Sequence, residues 1–183
     1  MIKAEGADPV AIFTDAGLDT SFINEASARY PVENVRKAWQ LAADCIKNPC
    51  FGVHAGEHWL PGDLHALGYA FLSSRTLHIG LNRIVRYNEV VDQVINFTVE
   101  EDDEHLILSY ENVRKDLPDI PALEVARWSV VLTMCRAAKP EGISPARVDL
   151  THAPMTCRKD YETFFKCLIK YSQERPALYF KRA

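Results

Sequence analysis

The segment ALEVARWSVVLTMCRAA, residues 122–138, is apolar around most of its circumference. A helix of that kind has no broad face to give to water and must lie inside the molecule. The fold is therefore built around it, with the remaining elements supplying cover on more than one side. Residues 118–121, PDIP, predict a rigid lead into its first turn, where proline's fixed φ suits the helix start.

Ahead of this segment the chain reads as helical. Ala7 to Gly17 predicts a short helix carrying Val10, Ile12 and Phe13, with Gly17 where a C-terminal cap belongs. From Pro31 onward, Val32, Val35, Trp39, Ala42, Ala43 and Ile46 recur at helical spacing until Asn48-Pro49 stops them. A short helical piece around Phe51 to His58 runs to the break at Pro61-Gly62. Asp63 then predicts a cap for a helix through Leu72. Past the turn at Ser73-Ser74, Thr76 caps a further helix with Leu77, Leu81, Ile84, Val85 and Val91 on one face. The period then changes. VINFTVE and HLILSYE alternate apolar and polar residues around the acidic run EEDD, the pattern of a two-stranded hairpin with a charged loop. Beyond the apolar helix, ARVDLTH predicts a strand, KDYETFFKC a short helix, and LIKYS and ALYFK two short strands. The order predicts an α+β fold: a helical amino-terminal half, then a mixed, antiparallel-rich sheet packed on the central buried helix.

A chain of 183 residues, 48% apolar and 25% charged, can bury a full core without a metal or disulfide staple, and it is read as a single domain over 1–183. No apolar run approaches the roughly 18 to 20 residues that cross a bilayer, and the start MIKAEGADPV lacks a signal peptide's apolar stretch, so the expected location is cytoplasmic with no membrane partner. Cys45, Cys50, Cys135, Cys157 and Cys167 form no C-x-x-C pair and are odd in number. They are expected to be reduced thiols filling the core. The formal charge of −4 argues against a large nucleic-acid surface. Charge is uneven, at −3 over residues 1–30, +1 over 31–91, −8 over 92–124 and +6 over 125–183. The basic last third is either a solvated surface or faces an acidic partner or an attached DNA-binding unit.

Few residues suggest chemistry. His54-Ala55-Gly56-Glu57-His58 satisfies H-x-x-E-H, in which two histidines four apart on a helix bind zinc and the glutamate activates water. Gly56 and the following Pro61-Gly62 weaken that helix, which favours a solvated helix end and no metal over a small zinc hydrolase. No G-x-S-x-G elbow, phosphate-binding loop or dinucleotide-binding turn is present, so no catalytic residue, no cofactor and no enzyme activity is predicted. A Cys157–His152 pair is one of many accidental combinations. Glu124 and Arg127, three apart on the apolar helix, either pair with each other at its exposed end or place one charge in a cavity to orient a polar ligand group. Trp39, Tyr69, Tyr87, Phe97 and Trp128 read as core more readily than as pocket lining.

One stretch carries more than composition. Trp39 on its helix is followed by Asn48-Pro49, Gly52, Gly56-Glu57, Pro61-Gly62-Asp63-Leu64, Leu67-Gly68-Tyr69, Ser73-Ser74, Thr76-Leu77 and Arg86-Tyr87. Glu124, His152, Tyr161, Phe164-Phe165, Cys167, Leu178 and Phe180 complete the pattern. This combination resembles the amino-terminal, arabinose-binding-like sensor domain of AraC/XylS-family transcriptional regulators, from about residue 7 to the end. His65 departs from it where the family often has glycine, and Leu168 where proline commonly follows the cysteine. The resemblance implies an effector-binding and dimerisation domain of a bacterial regulator, with a small-molecule effector of unknown class and a homodimer. DNA would be contacted only through a helix-turn-helix domain missing from this sequence. The effector-contacting residues expected on this basis are Tyr69, Arg86, Glu124, Arg127, Trp128 and His152. A ligand-free oligomerisation module is the remaining alternative.

Overall fold

The computed structural model describes residues 1–23, 25, 28–117, 119–139 and 142–182. Pro118 of the expected lead-in lies outside the described residues. Six α-helices occur among those described: α1 (Pro9–Ala16), α2 (Val32–Cys45), α3 (His65–Leu72), α4 (Leu77–Tyr87), α5 (Pro121–Ala138) and α6 (Arg158–Phe165). Five strands, β1 (Ile95–Glu101), β2 (His105–Asn112), β3 (Arg147–Asp149), β4 (Leu168–Lys170) and β5 (Ala177–Lys181), form one sheet in the order β1-β2-β5-β3-β4. Every pairing is antiparallel except β3 with β4. The architecture is α+β, with the hairpin placed as its alternation predicts.

Local chemistry sets the element ends. The Asp8 carboxylate accepts from the Val10 N–H at 2.9 Å ahead of α1, and Gly17 closes that helix in the left-handed region at φ 76°. Thr76 caps α4 through the Ile79 N–H at 3.2 Å. Asp63 does otherwise than expected. Its carboxylate accepts from the Leu60 N–H at 2.8 Å, closing a 3-10 turn at Pro61–Leu64 instead of opening α3. His65, standing where the resembled family often has glycine, takes φ +50°, the backbone region in which a Cβ is strained. The helix expected to reach Val91 stops at Tyr87, because buried Asn88 turns the chain toward β1 by donating to the Asp92 carbonyl at 2.9 Å and the Ile95 carbonyl at 2.8 Å.

α5 lies inside, as its composition requires: Val125, Trp128, Leu132 and Cys135 have no exposed surface. On the sheet side Trp128 meets Tyr110 of β2 and Phe97 of β1, with ring centroids 5.1 and 6.1 Å away. On the other side runs an eight-residue 3-10 helix at Phe51–His58, long for its type. A Cβ on Gly52 would stand 2.0 Å from the Ala122 carbonyl oxygen, and one on Gly56 would stand 2.6 Å from the Ser129 carbonyl oxygen. Only glycine permits that approach. Two turns of α5 advance about 10.5 Å between residues 122 and 129. Four residues of 3-10 helix rise about 8 Å where an α-helix would rise about 6 Å, so the stretched helix keeps both glycines nearer register. The Ser129 hydroxyl accepts the Gly56 N–H at 3.0 Å, which satisfies a buried donor at the seam. A second apolar cluster joins α1 and α2 to the start of α5 through Ile12, Ala38, Ala42, Phe51 and Ile120.

The expectation of five free thiols is corrected. Cys50, ahead of the 3-10 helix, and Cys157, ahead of α6, form a disulfide with Cα atoms 5.9 Å apart, 107 residues apart in sequence. Cys157 is thereby removed from any pairing with His152. Cys45, Cys135 and Cys167 are free, and burial pushes the Cys135 thiol up to about 12 and the Cys167 thiol up to about 11. Such thiols are poor nucleophiles.

The seam gives the fold's sharpest test. Gly52→Ala is expected to destabilise by about 2–4 kcal/mol in urea unfolding, because the obstacle is helix backbone and cannot swing aside, whereas Gly142→Ala, with nothing within 4 Å but φ +90°, is expected to cost about 1 kcal/mol.

Candidate functional site

Beneath α5 lies a cavity of about 530 Å³. Leu123, Ala126, Val130 and Met134 of α5 form its roof, and Trp39, Leu67, Ile84 and Phe97 come from α2, α3, α4 and β1. Every layer of the fold contributes, so the cavity exists only once α5 is seated. Its polar groups are few: Arg127, Asp92, Asn88 and Asp63. An apolar chamber with a handful of placed polar groups is the usual form of a small-molecule site.

Arg127 and Asp92 face each other at this wall, with Arg127 Nη2 donating to the Asp92 carboxylate at 3.1 Å and side chains 15% and 27% exposed. The guanidinium also lies 5.5 Å from the Tyr110 ring centroid. Tyr110 is buried, and burial pushes its phenol well above the ordinary value, so it stays protonated. The i,i+3 spacing of Glu124 and Arg127 does not make them partners. Glu124 is 6% exposed and turns toward the loop after β3, where its carboxylate accepts from the Thr151 N–H at 2.9 Å and from the Thr151 hydroxyl. Burial holds its carboxyl above the usual carboxylate range, with the two Thr151 bonds acting against the shift.

The other expected contacts are dispersed. Trp128 packs in the core between α5 and the sheet, and its indole N–H has no hydrogen-bond partner among the described residues. His152 Nδ1 lies 2.8 Å from the Ala153 carbonyl oxygen, while its buried Nε2 has no partner among the described residues; its ring sits 6.0 Å from Tyr161 and 5.9 Å from Tyr171. Tyr69 is 62% exposed on α3, and Arg86 lies on the exposed face of α4 with its guanidinium 5.4 Å from the Tyr87 ring centroid. The structure brings Glu124, Arg127 and Trp128 together along α5 and leaves Tyr69 and Arg86 on the outer surface. Trp39 and Phe97, read from sequence as core, line the cavity, and Trp39 stacks on Phe51 at 5.9 Å.

The H-x-x-E-H segment is not arranged as a zinc site. On a 3-10 helix with about three residues per turn, positions four apart point roughly 120° away from each other. His54 instead faces two glutamates, Glu57 at 3.2 Å and Glu5 at 3.8 Å, and His58 is exposed. Among the described residues no group of three or more His, Cys, Asp or Glu side chains could hold a metal ion, and no helix is long and apolar enough to cross a membrane.

Sequence reasoning missed Asn88, Asp92 and Arg36. For Arg36 a signal was present: it falls on the apolar stripe of α2, four residues after Val32 and three before Trp39, and a charge there is an inconsistency.

The family described as "Arabinose-binding domain of AraC transcription regulator, N-term" matches residues 6–183. Among solved structures the chain is similar to the transcriptional regulator CdpR from Pseudomonas aeruginosa, with TM-score 0.58 and 13% identity, over 93% of this chain and 53% of that one. At that identity the likeness concerns the fold, and the chain spans about half the length of that regulator. No curated protein matches the chain. The matching family and the similar structure are both described as regulatory, and neither as an enzyme.

Glu124 offers a pH test of this wall. Because its folded-state value is raised, its contribution favours folding below the ordinary carboxylate value and is lost as pH rises through the folded value. Glu124→Gln, which keeps an acceptor for the Thr151 N–H, is expected to remove that loss, so that urea-unfolding stability relative to wild type improves from pH 4 to pH 7. Glu124→Ala strands the Thr151 donor and is expected to cost about 1–3 kcal/mol at both pH values.

Proposed function

This chain belongs to the family of amino-terminal arabinose-binding domains of AraC transcription regulators, and we propose that it senses a small-molecule effector in the cavity beneath α5. The single observation that carries the reading is that chamber of about 530 Å³, apolar except for a few polar groups on its wall. The family label does not make the effector a sugar; so apolar a lining favours a ligand with a substantial hydrocarbon part.

Action is by differential affinity. The cavity touches α2, α3, α4, α5 and β1 at once, so an occupant that fits one arrangement of these elements better shifts the population toward it. In this reading the unit over 1–183 also dimerises, and its state sets the relative placement of two DNA-reading domains joined to it in the parent regulator. Arg127, with Asp92, is the polar contact for the effector; Glu124 and Trp128 hold that segment of α5 in place. No enzyme chemistry is invoked.

The test is direct. A ligand at about 100 times its Kd adds about 2.7 kcal/mol to stability, which for a chain of this size is a rise in Tm of roughly 5–10 °C. A metabolite screen by thermal shift is expected to find such a compound. Val130→Trp, which fills the cavity from α5, is expected to cut its affinity tenfold or more while leaving the circular dichroism spectrum unchanged. A hit whose affinity is untouched by Val130→Trp contradicts this site. Sedimentation velocity checks the dimer, with a concentration-dependent shift from one to two chains expected.

A further inference from the structure

Among the described residues, Arg36 is a buried charge with no hydrogen-bonded counter-ion. Arg36 is 5% exposed, and its Nε and Nη2 have no hydrogen-bond partner among the described residues. Its charged neighbours are otherwise engaged. Arg114 is held by Glu33 at 3.0 Å and Asp116 at 2.8 Å, Arg127 donates to Asp92 at 3.1 Å, and Asp119 accepts from Asn112 at 3.4 Å. A guanidinium does not lose its charge at neutral pH, and a buried cation without a partner is among the costliest arrangements in a folded chain. Burial and the nearby Arg127 charge disfavour the charged form of Arg36, and the Asp119 and Asp92 carboxylates act in the other direction without prevailing.

Its position relative to the cavity gives this cost a use. Arg36 lines a recess of about 130 Å³ with Tyr110, Asp119, Glu124, Arg127 and Thr151. It also lines a wider groove that shares Val91, Asp92, Leu123 and Arg127 with the apolar cavity. Arg127 is thus a wall common to all three spaces, and its own buried Nε is without a hydrogen-bond partner among the described residues. Arg127 borders the polar end of the apolar chamber, and Arg36 borders the recess and groove that adjoin it there. The planar fork of donors matches a carboxylate. Asp92, Asp119 and Glu124 stand around them and repel a dianion more strongly than a singly charged head.

We propose that Arg36 and Arg127 form an anion subsite, and that the effector is a monocarboxylic acid whose apolar body occupies the cavity beneath α5. The inference rests on that cavity being the effector site. The carboxylate answers the charge of Arg36 beside Arg127, so the folded chain carries a cation without a hydrogen-bonded counter-ion until ligand arrives.

The probes are 4-phenylbutyrate and 4-phenylbutan-1-ol, which share one carbon skeleton and differ in the charged head, titrated by calorimetry into wild type, Arg36→Met and Arg36→Lys. Wild type is expected to prefer the acid by about tenfold or more. Arg36→Met is expected to reduce that preference to within about twofold while raising the ligand-free Tm by about 2–4 °C, since it deletes an unpaired buried charge. Arg36→Lys keeps the charge without the fork and should fall between, which preserves the test if Arg36→Met fails to fold. Equal binding of acid and alcohol to wild type, or an acid preference that survives both substitutions, overturns the anion subsite and leaves the cavity standing. Binding of neither probe to wild type contradicts the cavity reading, and the subsite falls with it.

Discussion

The distance between the 3-10 helix at Phe51–His58 and α5 governs the rest of the molecule. Gly52 and Gly56 let the two backbones meet where any Cβ would strike a carbonyl oxygen, and the Ser129 hydroxyl seals the contact by accepting the Gly56 N–H. With α5 fixed on that side, its opposite face receives Phe97 and Tyr110 of the sheet against Trp128. The third side is not closed by equally tight contacts. There α2, α3, α4 and β1 stand back from Leu123, Ala126, Val130 and Met134, and the cavity is the space between. A helix held hard on one side and loosely on another can respond to an occupant.

Polar residues around the cavity divide by what answers them. Glu124 is satisfied by Thr151, Arg127 is half satisfied by Asp92, and Arg36 has no partner among the described residues. Buried polar groups in folded chains are ordinarily paired, and a cation without a hydrogen-bond partner among the described residues, next to the space that Arg127 shares with the cavity, is placed to meet an anionic ligand group. The Cys50–Cys157 bond adds a covalent tie between the start of the 3-10 helix and the start of α6, across a loop of 107 residues. It binds the glycine seam to the carboxy-terminal third of the fold.

Much of this was legible in the sequence because the local signals were strong. The all-round apolar character of α5 required burial, the alternation in β1 and β2 required a hairpin, and Gly17 and Thr76 were read correctly as caps. What escaped depended on contacts distant in sequence. Glu124 and Arg127 are close on the helix, yet their partners come from Thr151 and Asp92, 27 and 35 residues away. The disulfide spans 107 residues, and counting cysteines could not pair them. Asp63 preceded a helix as a cap does, but proline and glycine before it made a separate turn whose N–H it took instead. Arg36 was the signal available and unused, a charge on an apolar stripe.

Methionine methyl resonances report on the cavity without any substitution. The chain has three methionines, and Met134 alone lines the chamber, with Met155 beside the Tyr161 hydroxyl and Met1 at the chain start. In a 13C-methyl titration with the compound that most raises Tm, the Met134 signal is expected to shift strongly while those of Met1 and Met155 stay within the small drift of distant groups. A stabilising ligand that leaves Met134 unmoved would show that effector sensing takes place elsewhere on the domain.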